Sequence, residues 1–256
     1  MSARLLVVAG HDPSHGAGVE ADREAAARFG VEARCVVTAW TDQDGRRVRS
    51  IGVRPATEWL AEARTALAEE VHALKSGLLP GAEAVRALAR LIDELPEPRV
   101  PVVVDPVLAA SGGEILLDDE GIEMLLGELL PRGVILTPNL PELARLTGVE
   151  LESDRSRIPV RSRERAAARL LERGCRAVLV KGGHAPGERL ADLVLERDEA
   201  PVWLERARIQ GRGIHGSGCR YASAVAAQLA LALPLSQAAE AAGNWVGELI
   251  RAARPR

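Results

Sequence analysis

Short apolar runs alternate with amphipathic segments along most of the chain. The runs have the length of strands, and several are unbroken and β-branched, as in strands covered on both faces. They are residues 5–9, 34–40, 73–75, 102–105, 134–137 and 177–181. Apolar residues recur at helical spacing in residues 17–29, 56–70, 82–94, 120–130, 140–146 and 162–173. This alternation predicts an α/β fold, a three-layer αβα sandwich around a mainly parallel central sheet.

The C-terminal part of the chain departs from this alternation. Two consecutive strand patterns, residues 190–195 and 202–209, predict an antiparallel hairpin at one edge of the sheet. Two helix patterns follow, over residues 217–233 and 235–253. A chain of 256 residues can bury one full core, and no linker or repeat marks a second unit, so we expect a single domain over residues 1–256.

Glycines cluster immediately before the first of these two helices. Four of them fall within eight residues: Gly211, Gly213, Gly216 and Gly218. Glycine lets the backbone approach a ligand closely, and the free N–H groups at a helix start attract an anion. The pattern therefore predicts a phosphate-binding turn. Cys219 lies in the first helical turn, where the same field should lower its thiol pKa. The alternative is an ordinary helix capped by Ser217, with Cys219 buried and inert.

Charge and composition limit the classes of binding partner that we expect. The net charge of −3 gives no electrostatic footprint for nucleic acid or an anionic membrane, and no segment reaches 18 consecutive apolar residues. Three widely spaced cysteines favour a reducing compartment, so we expect a cytoplasmic protein. Only Lys75 and Lys181 are lysines among 33 basic residues, and both follow apolar runs shortly before a glycine. A compact ammonium group at a strand end suits contact with a phosphate.

Most of the polar, glycine-bounded residues follow the predicted strands, at the edge where parallel sheets bind ligands. Asp105 ends a buried strand, where an unpaired carboxylate would be unfavourable. Asn139 and Glu142 lie three residues apart at a helix start. That spacing fits a capping box, and it also fits a site in which Glu142 and Asp105 hold Mg²⁺ beside a nucleotide. No P-loop motif is present.

Seven segments, taken in order, resemble the hydroxymethylpyrimidine/phosphomethylpyrimidine kinases of thiamine synthesis, within the ribokinase-like superfamily. They are AGHDPSHGAGVEAD, VVTAWTDQDG, LKSGLL, VVVDPVLAASGG, LTPNLPELARLTG, VLVKGGH and HGSGC. The resemblance spans residues 4–252. It implies a ribokinase-like fold, ATP and Mg²⁺ as co-substrate and cofactor, and a homodimer. The implied reaction moves the ATP γ-phosphoryl group to the hydroxymethyl oxygen, and a second one to the resulting monophosphate.

The resemblance also implies roles for particular residues. Cys219 is the expected base, and the phosphoryl group is expected near Gly216, Ser217, Gly218 and Lys181. The expected ATP contacts are Asn139, Lys181, Gly183 and His215, with Asp105 and Glu142 organising Mg²⁺. The expected pyrimidine contacts are Gln43, Asp22, Gly16, Gly18, His11 and Lys75. An alcohol acceptor needs a base much more than a phosphate oxygen that is already ionised, so the loss of Cys219 should harm the first transfer more than the second.

Several positions depart from the family pattern and leave the substrate open. They are His11, His15, Asp42, Ile214 and residues 110–113. A pyridoxine/pyridoxal kinase is one alternative, and a non-catalytic module that binds the pyrimidine or a nucleotide is another. Trp40 fits either stacking on a substrate ring or packing in the core. His11 and His15, four residues apart, lack a third metal ligand in the sequence.

Overall fold

A nine-stranded sheet organises the part of the chain that the computed structural model describes, residues 2–43, 47–96, 100–151, 160–210 and 213–253. Its strands in chain order are β1 (Arg4–His11), β2 (Glu32–Gln43), β3 (Val48–Val53), β4 (Ala73–Ser76), β5 (Val102–Val104), β6 (Ile135–Leu136), β7 (Ala177–Val180), β8 (Arg189–Glu196) and β9 (Val202–Ala207). Their order across the sheet is β3-β2-β1-β4-β5-β6-β7-β8-β9. Gly211 of the predicted turn and residues 152–159 lie outside the described residues.

The pairing of the strands confirms a mainly parallel sheet. The neighbours from β2 through β7 are parallel, and β8 and β9 form the predicted antiparallel hairpin at one edge. At the other edge, β3 pairs antiparallel with β2 and was not predicted. It buries no continuous face, since its residues are all exposed or half-buried, so its sequence lacks the alternation of a half-buried strand.

Helices cover both faces of the sheet. In chain order they are α1 (Gly18–Arg28), α2 (Ala56–Leu67), α3 (Ala82–Asp93), α4 (Asp119–Met124), α5 (Leu140–Thr147), α6 (Val160–Glu172), α7 (Ser217–Ala230) and α8 (Leu235–Ala252). The helix predicted over 120–130 is α-helical only in α4. It continues as a π-helical turn that places Leu125 and Leu129 on the buried side. None of the helices in the described ranges has the length and apolar character needed to cross a bilayer.

Two cores lie on opposite faces of the sheet. Residues of β1 alternate between them: Leu6 and Val8 face the core covered by α2 to α6, whereas Leu5 and Val7 face the core covered by α1, α7 and α8. This confirms the three-layer arrangement. In it, the carboxyl ends of the parallel strands share one edge, where the connecting loops gather.

Candidate active site

A cavity of about 830 Å³ lies at the carboxyl ends of the strands. It runs from the ends of β1 and β2, past the loops after β5 and β7, to α8. Most of the residues expected at the site line it: His11, Gly18, Gln43, Lys75, Asp105, Asn139, Glu142, Lys181, Gly183, His215, Gly216, Ser217, Gly218 and Cys219. The predicted clustering at the strand ends therefore matches the geometry.

Asp22 and Gly16, both expected beside the substrate, do not line the cavity. Asp22 is fully buried beneath it, where its Oδ1 accepts hydrogen bonds from Lys75 Nζ at 2.8 Å and from Ser223 Oγ at 2.7 Å. Burial lowers the pKa of Lys75, but the nearby carboxylates of Asp22 and Asp105 raise it above its ordinary value. Lys75 is therefore a fixed cation in the cavity floor.

The glycine turn before α7 brings backbone amides to the cavity. Helix α7 begins at Ser217, and its N-cap is Gly216 in the left-handed region, so Ser217 is not the cap. The first amide groups of a helix have no partner within it. Ser217, Gly218 and Cys219 all line the cavity, so the start of the helix borders the space in which the sequence predicts a bound anion. We call residues 213–216 the anion loop.

The predicted thiolate character of Cys219 is wrong for this structure. Burial raises the pKa of the thiol to about 11, and the carboxylates of Asp105 and Asp22 act in the same direction. Lys75 and the backbone N–H of Gly18 oppose this shift but do not reverse it. The helix start alone suggests a lowered pKa, and the sequence pattern does not reveal the surrounding burial and negative charge.

An ion pair marks the centre of the cavity. Lys181 Nζ lies 2.6 Å from Asp105 Oδ1, which joins the ends of β5 and β7. Both interpretations of the Asn139–Glu142 spacing fit the geometry. Asn139 Oδ1 accepts a hydrogen bond from the Glu142 N–H, and Glu142 Oε2 accepts one from the Asn139 N–H, which confirms the capping box. Both residues also line the cavity.

The same carboxylates fit a magnesium ion. The pKa of Glu142 is raised to about 7, because burial and the Asp105 carboxylate outweigh the opposing effect of Lys181. The two carboxylates therefore repel each other. A bound cation would relieve this repulsion, and carboxylate oxygens are the ligands that Mg²⁺ prefers. Among the described residues no group of three or more His, Cys, Asp or Glu side chains could hold a metal. Mg²⁺ is commonly held by one or two carboxylates and substrate phosphates, so Asp105 and Glu142 would match its usual protein ligands.

Two residues that sequence reasoning missed lie where two loops meet. Asp12 belongs to residues 12–17, which we call the N-terminal loop. Its Oδ2 lies 2.8 Å from His215 Nε2 and also accepts hydrogen bonds from Ser14 Oγ and the Ala17 N–H. Burial raises the pKa of Asp12, but the hydrogen bonds from Ser14 and His215 bring it below its ordinary value. The second residue is Arg220, which no sequence motif distinguishes from the many other arginines of the chain.

The remaining candidates divide between the cavity and the surface. Gln43 Nε2 donates to Thr41 Oγ1 at 2.7 Å. Ile214 lines the cavity, as do Ala110, Ser111 and Gly113, whereas His15 does not. Trp40 is 48% exposed, which excludes the core alternative, and it does not line the cavity. Val246 and Ile250 of α8 line its far end, and both also pack in the core covered by α1, α7 and α8.

Comparisons with known proteins agree with this geometry. A family model described as phosphomethylpyrimidine kinase matches residues 12–255. A hydroxymethylpyrimidine/phosphomethylpyrimidine kinase of Rhizobium meliloti is 36% identical over 254 residues, covering 99% of this chain and 92% of that protein. One from Bacillus subtilis is also 36% identical, over 96% of this chain and 89% of that protein.

Solved structures give the same fold. A phosphomethylpyrimidine kinase from Clostridium difficile superposes with a TM-score of 0.81 at 26% identity, covering 97% of this chain and all of that one. A Staphylococcus aureus pyridoxal kinase in complex with ADP gives a TM-score of 0.85 at 26% identity, over 98% of this chain and 88% of that one. The ribokinase-like resemblance seen in the motifs therefore extends to the whole architecture.

Proposed function

Because the chain belongs to the phosphomethylpyrimidine kinase family, we propose that its cavity carries out both phosphoryl transfers to hydroxymethylpyrimidine, with ATP as the donor. The protein is a kinase of thiamine biosynthesis. The observation that supports the location is the meeting, in one continuous cavity, of the start of α7, the Lys181–Asp105 pair and Cys219. The cavity volume lies within the range of small-molecule sites.

The pyrimidine would lie at the end of the cavity formed by β1 and β2. Gln43 donates its amide N–H to Thr41, which leaves the amide oxygen to accept a hydrogen bond from the 4-amino group of the ring. His11 and Gly18 line the same end. Lys75, fixed and charged in the floor, would attract the phosphate of the monophosphate substrate.

ATP would occupy the other end, where Val246 and Ile250 offer an apolar surface to the base. Lys181, Asn139, Gly183 and His215 would face its phosphates. Asp105 and Glu142 would hold Mg²⁺, which when bound neutralises charge on the β- and γ-phosphates. The Lys181 ammonium would attract the phosphates and keep them in line with the start of α7.

Transfer would depend mainly on positioning and charge, since the transition state of phosphoryl transfer is loose. The hydroxymethyl oxygen attacks the γ-phosphorus, the bond to the β-phosphate oxygen breaks, and ADP leaves. The amides of Ser217, Gly218 and Cys219 would hold the phosphoryl oxygens in transit. The hydroxyl proton would pass to Cys219 in the small fraction of molecules in which its thiol, with a pKa of about 11, is ionised. In the second transfer the acceptor is an ionised phosphate oxygen, which has no proton to give up.

Mass spectrometry of the products tests the proposal. Purified protein is incubated with Mg·ATP and hydroxymethylpyrimidine, and in parallel with pyridoxal. We expect the mono- and diphosphorylated pyrimidine, and a Lys181→Met variant should form neither at a comparable rate. Monophosphate alone would contradict the second transfer. Pyridoxal phosphate alone would support the other candidate, a pyridoxal kinase, which the structural similarity to such an enzyme favours. Binding without turnover would indicate a non-catalytic module.

The family resemblance also supports a cytoplasmic homodimer. Light scattering on the purified protein should then give the mass of two chains of 27.3 kDa each. A mass of one chain across the micromolar range would contradict the dimer. Fractionation of cells should place the activity in the soluble fraction, without nucleic acid or membrane.

A further inference from the structure

Two loops from distant parts of the chain touch at the edge of the cavity. The Asp12–His215 contact joins the N-terminal loop to the anion loop across 203 residues of sequence. The backbones also meet, since a Cβ atom added at Gly216 would lie 2.1 Å from the carbonyl oxygen of Gly16. Of these two loops, the first lies at the pyrimidine end and the second leads into the helix that would hold the phosphoryl group.

Arg220 ties these loops together through one guanidinium group. Its Nη1 donates to the Gly16 carbonyl at 2.5 Å and to the His215 carbonyl at 3.0 Å. Its Nε and Nη2 lie 2.8 and 2.7 Å from Glu24 Oε2 on α1. The side chain is only 11% exposed. A planar guanidinium carries its N–H groups on three nitrogens in fixed directions, so it can reach three separated partners, whereas the donors of a lysine share one nitrogen.

Arg220 itself is not among the residues that line the cavity. The two residues that precede it in the sequence, Gly218 and Cys219, do line the cavity. A substitution at Arg220 therefore removes no direct contact with a substrate. Any effect on the reaction must act through the relative position of the two loops.

We propose that Arg220 is a positioning residue that holds the N-terminal loop against the anion loop, so that the acceptor oxygen meets the phosphoryl group in line. This inference rests on the proposed function, which places the pyrimidine acceptor beside the N-terminal loop and the transferred phosphoryl group beside the anion loop. Phosphoryl transfer is sensitive to such alignment, since a displacement of about 1 Å can reduce a rate by about 100-fold. Most of the proposed ATP contacts, Lys181, Asn139 and Gly183, lie outside the two loops, so ATP binding should depend little on Arg220.

The central test is Arg220→Met. We expect kcat for the first transfer to fall by about 10- to 100-fold. The KM for Mg·ATP should stay within about twofold of the wild-type value, because the contacts that bind ATP in the ground state are kept. Water should compete better for a misaligned phosphoryl group, so more than one ADP should form per phosphorylated pyrimidine. A merely structural residue would lower stability and ATP affinity together and leave this ratio at one.

Three further variants separate the possible causes. Arg220→Lys keeps the charge but cannot bridge both carbonyls, so it should stay impaired. Glu24→Gln leaves both carbonyl contacts of Arg220 in place and should change kcat by less than about threefold, because the Glu24 side chain is 45% exposed to solvent. Arg64→Met removes an arginine that contacts Glu94 through two nitrogens far from the cavity, and it should behave as wild type.

Amide hydrogen exchange gives a readout that does not depend on turnover. Residues 12–17 should exchange faster in Arg220→Met than in wild type or Arg64→Met. Unchanged exchange would contradict the proposed role of Arg220. An Arg220→Met enzyme with kcat within twofold of wild type and one ADP per phosphorylated pyrimidine would contradict it as well. Wild-type protein without pyrimidine turnover would instead contradict the proposed function, and the exchange rates would still decide whether Arg220 joins the loops.

Discussion

Gly216 lies at the crossing of the N-terminal loop and the anion loop, with a φ of +72°. A side chain there meets two separate obstacles. The left-handed backbone disfavours a Cβ atom by about 1–2 kcal/mol. In addition, the nearest atom at 2.1 Å is the backbone oxygen of Gly16, which cannot turn aside as a flexible side chain can.

Gly216→Ala should therefore displace the anion loop and reduce phosphoryl transfer by at least about 100-fold, by misalignment of the reacting groups. Gly30→Ala is a matched control, because Gly30 has the same φ of +72° and no atom within 4 Å of its added Cβ. It should lose about 1–2 kcal/mol of unfolding free energy with full activity. Urea unfolding and the kinase assay measure both effects. Equal behaviour of the two variants would contradict the role of the loop contact.

Cys219 combines a cavity position with a pKa of about 11. If its thiolate is the base, the reactive fraction rises about tenfold per pH unit below that value. The first transfer should therefore accelerate between pH 7 and 9 in wild type. In Cys219→Ala that slope should disappear, and the second transfer should lose less.

The matched control for this experiment is Cys35→Ala. Burial raises the pKa of Cys35 to about 11 as well, but Cys35 does not line the cavity. This variant should keep the wild-type pH profile. Equal loss of both transfers in Cys219→Ala, with an unchanged slope, would assign Cys219 to the shape of the anion site instead of proton transfer.

At the scale of elements, a buried ion pair and a serine that donates to it connect a strand and two helices beneath the cavity. Lys75 of β4 binds Asp22 of α1, and Ser223 of α7 donates to the same carboxylate oxygen. Both charged residues are fully buried. Removing one partner leaves an uncompensated charge in a medium of low polarity, which typically destabilises a protein by about 3–5 kcal/mol.

Lys75→Met should lower the unfolding free energy by that amount in urea titrations. The double variant Lys75→Met/Asp22→Asn should be less destabilised, because no charge is left alone. Arg189→Met is the surface control: its pair with Glu205 is exposed and should contribute less than about 1 kcal/mol. A Lys75→Met variant as stable as the surface control would contradict the importance of the buried pair.

The elements differ in how far their sequences predict them. Unbroken apolar runs predicted β1 and β4 to β7, because strands buried on both faces leave that pattern. The edge strand β3 leaves none, since it packs no apolar face. The capping box at Asn139 and Glu142 was predictable from spacing, because its bonds are local along the chain.

For the whole molecule, burial of thiols predicts sensitivity to alkali. Burial raises the pKa of Cys175 to about 12, and that of Cys35 and Cys219 to about 11, from an ordinary value of 9.0. Between pH 9 and 11 the unfolded chain loses protons that the folded chain retains. The unfolding free energy should therefore fall as pH rises, by up to about 1.4 kcal/mol per pH unit for each thiol.

Urea unfolding between pH 7 and 10 measures this effect. The midpoint should be steady up to about pH 8.5 and then decrease. In a Cys35→Ala/Cys175→Ala variant the decrease should be shallower, although the variant is less stable at pH 7 through lost packing. An identical slope in both proteins would exclude the thiols as the cause.

The site as a whole was predictable only in part. The carboxyl ends of parallel strands converge by geometry, so residues that follow separate strands, such as Gln43, Asp105 and Lys181, were correctly expected near one cavity. Contacts between loops distant in sequence have no such rule, and the pairings of Asp12 and Arg220 were therefore missed. The pKa of Cys219 depends on burial and on the charges around it, which sequence position alone does not give.

The clasp at Arg220 has a consequence for synthesis of the chain. Arg220 and its partner Gly16 are 204 residues apart, and a ribosome adding about 5–20 residues per second needs about 10–40 s to make the intervening chain. Most strands of the sheet are available for pairing before the anion loop exists. A nascent chain that ends before α7 thus has the strands of the sheet but lacks the start of the helix proposed to hold the phosphoryl group. The two loops that meet at the transfer site can therefore join only after α7 has been made and has docked on the sheet.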